Sequence, residues 1–327
     1  MPFTSPDRPY DVAALWPALA PLARTAIRLH PRWGRPTADQ SSIGGPLLWP
    51  LDEPWPTCTA PHEWDVLATL DEVAEHRRIM ARAWGPDGAG PLNFSTEDKA
   101  RRDLINETQT DRTRRTEALA EPAALLPIAQ LFTRDVPGLP LRDRFDLLQV
   151  LWCPFDHAKD YQPAVQLRWR NTADQPMTAA LPPGDTLVGF EDYVPNPCTV
   201  APEPVIEYPD YDLLPPGLAD RIQAYGRVTD DFSYRELAVA PGWKVSGHGS
   251  LWMLIDGFEV RCECGAEAKP LLNAASRRAG SGAPHWIPVE DGDRLEDAVE
   301  IVIGRGADLQ IFHCGTDPTH APVVEMV

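Results

Sequence analysis

Apolar and polar positions along this chain mostly follow the two-residue period of strands. Ile27 and Leu29 alternate with Arg28 and His30 ahead of a turn region from Pro31 to Pro36, as in a half-buried strand. Val165, Leu167 and Trp169 alternate in the same way with Gln166, Arg168 and Arg170. The apolar runs Leu125 to Phe132 and Asp146 to Cys153 are bounded by turn signals and predict inner strands. Helical spacing occurs at Leu15, Leu19 and Leu22, where Pro17 and Pro21 limit it to one or two short helices. It occurs again at Val66, Leu67, Leu70, Val73, Ile79 and Met80, predicting a helix over 65–84 with Asp65 as a cap. Glu97 to Glu121 is charged with mixed sign and reads as a solvated helix or an excursion from the core. Residues 171–241 are rich in Pro, Asp and Tyr and predict an ordered connector anchored by Tyr193, Tyr208, Tyr211 and Phe232.

Four landmarks recur in one order at the two ends. Ile43-Gly44-Gly45 with Trp49, then Cys58, then Leu125 to Ala129, then Asp146 to Cys153 are answered by Val245-Ser246-Gly247 with Trp252, then Cys262 and Cys264, then Leu271 to Ala275, then Asp308 to Cys314. Ordered recurrence of this kind signals an internal repeat. The expectation is an α+β fold, mainly antiparallel, of two pseudo-equivalent halves. The first half is 1–170 with a helical insertion at 65–121, the connector is 171–241, the second half is 242–327, and all form one compact unit.

Composition narrows this picture. The chain has 327 residues, 43% of them hydrophobic, with 11 Trp, 36 Pro and 22 Gly, which excludes disorder and disfavours long helices. No apolar run reaches about 18 residues, and Met1 to Asp11 lacks the features of a signal peptide. A cytoplasmic protein without a membrane partner is expected, its six cysteines serving as thiols or metal ligands. The net charge of −18 repels phosphate backbones and steers basic partners, so nucleic acid is not an expected ligand. Arg168-Trp169-Arg170 is explained by a strand face, and the arginines near 101–115 are neutralised by acidic neighbours.

Over nearly its whole length the chain resembles the YwqG-like family of bacterial proteins of unknown function. The resemblance is carried by Ser41-Ser42-Ile43-Gly44-Gly45-Pro46-Leu47-Leu48-Trp49-Pro50, Asp52-Glu53-Pro54-Trp55-Pro56, Pro127-Ile128-Ala129-Gln130-Leu131, Leu148 to Pro154, Glu207-Tyr208-Pro209 and Ala240 to Val245. The duplicated plan is similar to that of the eukaryotic programmed cell death protein 2 relatives, grouped with YwqG-like proteins as TYPP domains. That resemblance implies a protein-binding or chaperone-like role. Two departures are present: Cys262-Glu263-Cys264-Gly265 is one residue shorter than the family's Cys-X-X-Cys-Gly, and Ser246 replaces a glycine.

Cys262, Cys264, Cys314 and His320, with His313 as an alternative nitrogen, form a candidate S₃N set for structural zinc if strand pairing brings the chain ends together. Cys58 with His62 and Cys153 with His157 form a parallel S₂N₂ set. The alternative is that these thiols act as small buried hydrophobes. Other signatures fail. His62-Glu63 has Val66 where a zincin needs its second His, and Gly247-His248-Gly249-Ser250 lacks the glycine that must follow a nucleophilic serine. Asp291-Gly292-Asp293 with Glu296 and Asp297 reads as an acidic turn. The candidate binding residues are Gly44, Gly45, Trp49, Trp55, Trp243 and Trp252, which would shape a groove between the halves for a basic client or an extended peptide. The expected function is therefore a non-enzymatic protein-binding module. The rivals are an enzyme with a Cys/His/Asp pocket between the halves and an immunity-type toxin binder. The intact turn from Gly44 to Trp55 is the expected seat of function, and the Cys262/Cys264 knuckle a structural remnant.

Overall fold

The computed structural model describes residues 3–84, 92–157, 161–249, 259–276, 284–292 and 297–327. Trp252, Asp293 and Glu296 lie outside them. The fold is α+β and its named sheets are antiparallel. The first six-stranded sheet runs, edge to edge, through Val165–Arg170, Leu147–Trp152, Leu126–Phe132, Ser42–Ile43, Cys198–Thr199 and Arg32–Trp33. The second runs through Val323–Met326, Leu309–Cys314, Ala268–Ala274, Lys244–Ser246, Arg24–Arg28 and Glu203–Glu207. Ile27, Leu29, Ile43, Ala129, Val150, Trp152, Val245, Leu272 and Ile311 belong to one buried cluster, so a single core serves both sheets.

A ribbon joins the sheets. Arg24–Arg28 pairs with Glu203–Glu207 in the second sheet, and Arg32–Trp33 pairs with Cys198–Thr199 in the first. Between them the Ala201 N–H bonds to the Leu29 carbonyl at 2.8 Å. Cys198–Thr199 and Glu203–Glu207, expected within the connector, are thus sheet strands. Their short apolar stretches, broken by Pro202 and Pro204, carry too little periodicity to be read as strands.

The strand registers of the two sheets match. Ile43 faces Ala129, which faces Val150, as Val245 faces Leu272, which faces Ile311. Gln130 faces Gln149 as Asn273 faces Gln310. Both long strands shift register at a proline, between Pro127 and Ala129 and between Pro270 and Leu272, where the missing N–H permits a bulge. These registers set Pro127 beside Pro270, not beside Asn273 as the leucine pairs of the sequence suggest. Gly44 and Ser246 then coincide, with φ of +66° and +60°. The side chain at the first position is excluded because a Cβ on Gly44 would lie 2.6 Å from the Asn196 carbonyl oxygen.

The helical excursion leaves at Cys58 and returns at Ala123, where Thr57–Cys58 pairs with Ala123–Ala124. Leu70–Trp84 begins with Asp71 and Glu72 against the positive end of its dipole and buries Val73, Ile79 and Ala83. Thr96–Arg115 is capped by Ser95, whose side chain accepts from the Asp98 N–H at 3.0 Å, and it ends in Arg112, Arg114 and Arg115. Ile105 and Gln109 are its buried residues, so it is a solvated helix. No helix among the described residues is long and apolar enough to cross a membrane.

Candidate metal centres

Register places Cys58 and Cys262 alike. Cys58 pairs with Ala123, three residues before Leu126, while the Cys262 N–H donates to Ala266 at 2.9 Å, three residues before Lys269. Leu126 and Lys269 themselves face Trp152 and His313, the residues that precede Cys153 and Cys314. Each sheet therefore presents one cysteine from an entering loop and one from the end of its Gln-containing strand. The remaining ligands come from the adjoining turns: His62 and His157 at the first sheet, Cys264 and His320 at the second.

Side-chain geometry completes both sets. One donor atom from each of Cys58, His62, Cys153 and His157, and one from each of Cys262, Cys264, Cys314 and His320, lie within 4.8 Å of one another. Tetrahedral zinc bonded to sulfur at about 2.3 Å and to nitrogen at about 2.0 Å sets its ligand atoms about 3.3 to 3.8 Å apart. Cys262 Sγ lies 3.6 Å from His320 Nδ1, Cys264 Sγ lies 3.7 Å from Cys314 Sγ, and Cys58 Sγ lies 3.9 Å from His157 Nε2. The 3.7 Å sulfur separation is too long for a disulfide. His62 Nε2 is buried without a close hydrogen-bond partner, while its ring acts on the Cys58 sulfur; a buried ring nitrogen is costly unless something pairs with it. A cation at the first set would do so. The residues fit a zinc ion at both sets, and His313, the alternative nitrogen, is turned to the Cys314 carbonyl at 3.0 Å.

Outer contacts orient these ligands. Backbone N–H groups point at the sulfurs: Ala60 to Cys58, Phe155 to Cys153, Cys264 to Cys262, and Thr316 and Asp317 to Cys314. Such bonds favour thiolates. The Cys153 sulfhydryl, with the His157 ring, holds the Cys58 thiol down to about 3 against its burial, while Cys153 is pushed up by Cys58 and by burial. The Cys58 sulfur in turn raises His157. At the second set the Thr316 hydroxyl and backbone N–H groups bring Cys314 down to about 5, and Cys314 raises His320. His157 bonds to the Pro61 carbonyl, which fixes its ring, and His320 Nε2 lies 3.8 Å from Asp317 Oδ2, within ionic reach but beyond a hydrogen bond.

The expected binding residues occupy other places. Trp49 and Trp243 are buried, at 3% and 5% exposure. The Trp49 ring lies 5.1 Å from Trp55, beneath Arg170, and both indoles donate to carbonyls, of Glu53 and Leu125. The turn is held from inside the sheet: Gln130 Oε1 accepts from Leu48 N–H at 2.7 Å, and Gln149 Nε2 donates to the Leu48 carbonyl at 2.7 Å. Gly44 lines an open cavity of about 560 Å³ with Trp33, Val73, Arg77, Leu181 and Pro195, and Trp252 lies outside the described residues. Trp33 and Leu181, at 53% and 56% exposure, stand at this cavity as solvent-exposed apolar side chains. Nothing in the sequence marked Trp33 beyond its place in a Pro-flanked turn.

Comparison with protein-family models and with curated proteins returns no match.

Proposed function

We propose that this chain is a non-catalytic protein-binding module in which each six-stranded sheet is pinned by one structural zinc ion. The observation that carries the reading is the pair of four-ligand sets at matching register positions. Four protein ligands complete a tetrahedral shell, whereas a catalytic zinc keeps a position for water or substrate. The matched registers, bulges and cysteines support descent of the two sheets from one duplicated module, in keeping with the YwqG-like resemblance. Thiol ligands of this kind persist in a reducing compartment such as the cytoplasm.

The apolar cavity beside Trp33 is where a partner segment would lie, between the Leu70–Trp84 helix and the edge strand Arg32–Trp33. Its volume of about 560 Å³ suits several apolar side chains, and the net charge of −18 favours a basic flank on that segment. A display screen of random peptides against the purified protein tests this. Enrichment of apolar sequences with Lys or Arg, lost in Trp33→Ala, is the expected result; enrichment unaffected by Trp33→Ala rejects the cavity as the seat of binding.

A further inference from the structure

The two centres differ in what they expose. Cys58 and Cys153 are buried in the first set, and Cys153 has no exposed surface. In the second set Cys264 is exposed, with its sulfur 3.7 Å from that of Cys314. A zinc ion with two thiolates and two imidazoles is neutral, whereas three thiolates and one imidazole leave a net negative charge. Electron-rich sulfur therefore reaches solvent at the second set.

We propose that Cys264 is a peroxide-reactive modification site and that Cys314 resolves it, forming a Cys264–Cys314 disulfide that releases the metal of the second set alone. The release of zinc rests on the two-zinc reading above; the cysteine pairing does not. In the first step the Cys264 thiolate attacks a peroxide oxygen, the O–O bond breaks, and sulfenic acid and hydroxide form. The Cys314 thiolate then attacks the Cys264 sulfur, the S–S bond forms and the S–O bond breaks, releasing a second hydroxide. Two electrons pass from two thiolates to one peroxide, and two solvent protons convert the hydroxides to water. Cys264 reacts first because it is the exposed thiol. Cys314 resolves because its sulfur is already within 3.7 Å and needs to close to about 2.05 Å. The set then retains Cys262 and His320, too few ligands to hold zinc tightly.

The test treats the purified full chain with one equivalent of hydrogen peroxide, follows released zinc with a chromogenic chelator, and maps disulfides by peptide mass spectrometry. Expected are about one zinc released per chain, a Cys264–Cys314 disulfide, and Cys58 and Cys153 recovered as thiols. Dithiothreitol should restore metal uptake. Cys264→Ser, which should hold the ion of the first set alone, should release no zinc with peroxide and should leave Cys314 a thiol. Oxidation of Cys58 or Cys153 as fast as Cys264, a Cys262–Cys264 disulfide in place of the proposed one, or no disulfide at all overturns the proposal. If the starting protein holds no zinc, the two-zinc reading fails, and the disulfide map still decides the cysteine pairing.

Discussion

The Cys58, His62, Cys153, His157 set and the Cys262, Cys264, Cys314, His320 set stand at matching positions of two sheets, yet they close different structures. The first ties the root of a long helical excursion to a strand end, joining residues 99 apart in sequence at Cys58 and His157; the second closes a tight turn onto a strand end, joining residues 58 apart at Cys262 and His320. By loop-closure entropy alone that difference amounts to about 0.5 kcal/mol. Burial separates them further. A neutral zinc complex suits the buried cysteines of the first set, where Cys58 and His62 line an open cavity of about 410 Å³, and an anionic one suits the exposed Cys264 of the second. With zinc bound at both, as proposed, the same register positions would give one fastening whose cysteines are buried and one with an exposed cysteine.

The comparison should break most visibly when one ligand is removed from each set. Cys153→Ser is expected to cost at least about 5 kcal/mol in a urea titration and one of two zinc ions, since metal binding there is folding free energy. Cys264→Ser is expected to cost about 2 kcal/mol. Equal costs would show that burial does not rank the two sets.

The glycine turns offer a second contrast. The first is held by neutral side chains, the second by an ion pair in which Lys244 Nζ lies 2.6 Å from Glu207 Oε1, both side chains being almost wholly buried. Glu207 also accepts from the Ala240 and His248 N–H groups, each at 2.8 Å. Glu207→Gln should cost about 3 to 5 kcal/mol by leaving the ammonium without its anion. Gln130→Leu at the first turn should cost about 1 to 3 kcal/mol through the unpaired Leu48 N–H.

Acid should act through the second turn. Burial pushes His248 down to about 4 while its ring bonds to the Leu22 carbonyl at 2.9 Å. Between pH 4 and the unfolded value near 6.5 the unfolded chain binds a proton that the native chain does not. Stability from this group is therefore full above pH 6.5 and falls as pH drops towards 4. His248→Gln should flatten that part of the profile relative to the unsubstituted protein; an unchanged slope would exclude His248 as its source.

Smaller effects belong to the backbone. Gly44→Ala should cost about 2 kcal/mol, because the new Cβ meets the Asn196 carbonyl at a positive φ. Ser246→Gly at the matching position should stay within about 0.5 kcal/mol. Relief of the strained φ is offset by loss of the Ser246 hydroxyl bond to the Gly138 carbonyl at 3.0 Å. Thermal melts of both variants check the pair.

Much of this was legible in the chain. The alternation at Ile27 to His30 and Val165 to Arg170 and the apolar runs before Cys153 and Cys314 marked strands that the fold contains, but not their burial: Arg28 and His30 are buried beside Ile27 and Leu29, and Val165–Arg170 is half-buried throughout. Both metal sets could be named, since cysteine and histidine have few other reasons to cluster. Their equivalence was obscured by unequal spacing, four residues from Cys58 to His62 but two from Cys262 to Cys264, and by the excursion inserted after Cys58. Strands as short as Arg32–Trp33 and Cys198–Thr199 carry no period, so the ribbon between the sheets was hidden. Lys244 and Glu207 are charged, and nothing local marks them as a buried pair; only tertiary pairing buries them. Trp49 and Trp243 signalled a groove and serve the core instead, Trp49 with its N–H bonded to the Glu53 carbonyl.

The central claim is that the two four-ligand sets each hold one zinc ion. Native mass spectrometry, with elemental analysis of protein purified without added metal, tests it most directly. The account predicts two zinc ions per chain, reduced to one in Cys153→Ser and in Cys264→Ser. Less than about a tenth of an equivalent per chain, or an undiminished count in both variants, would contradict it.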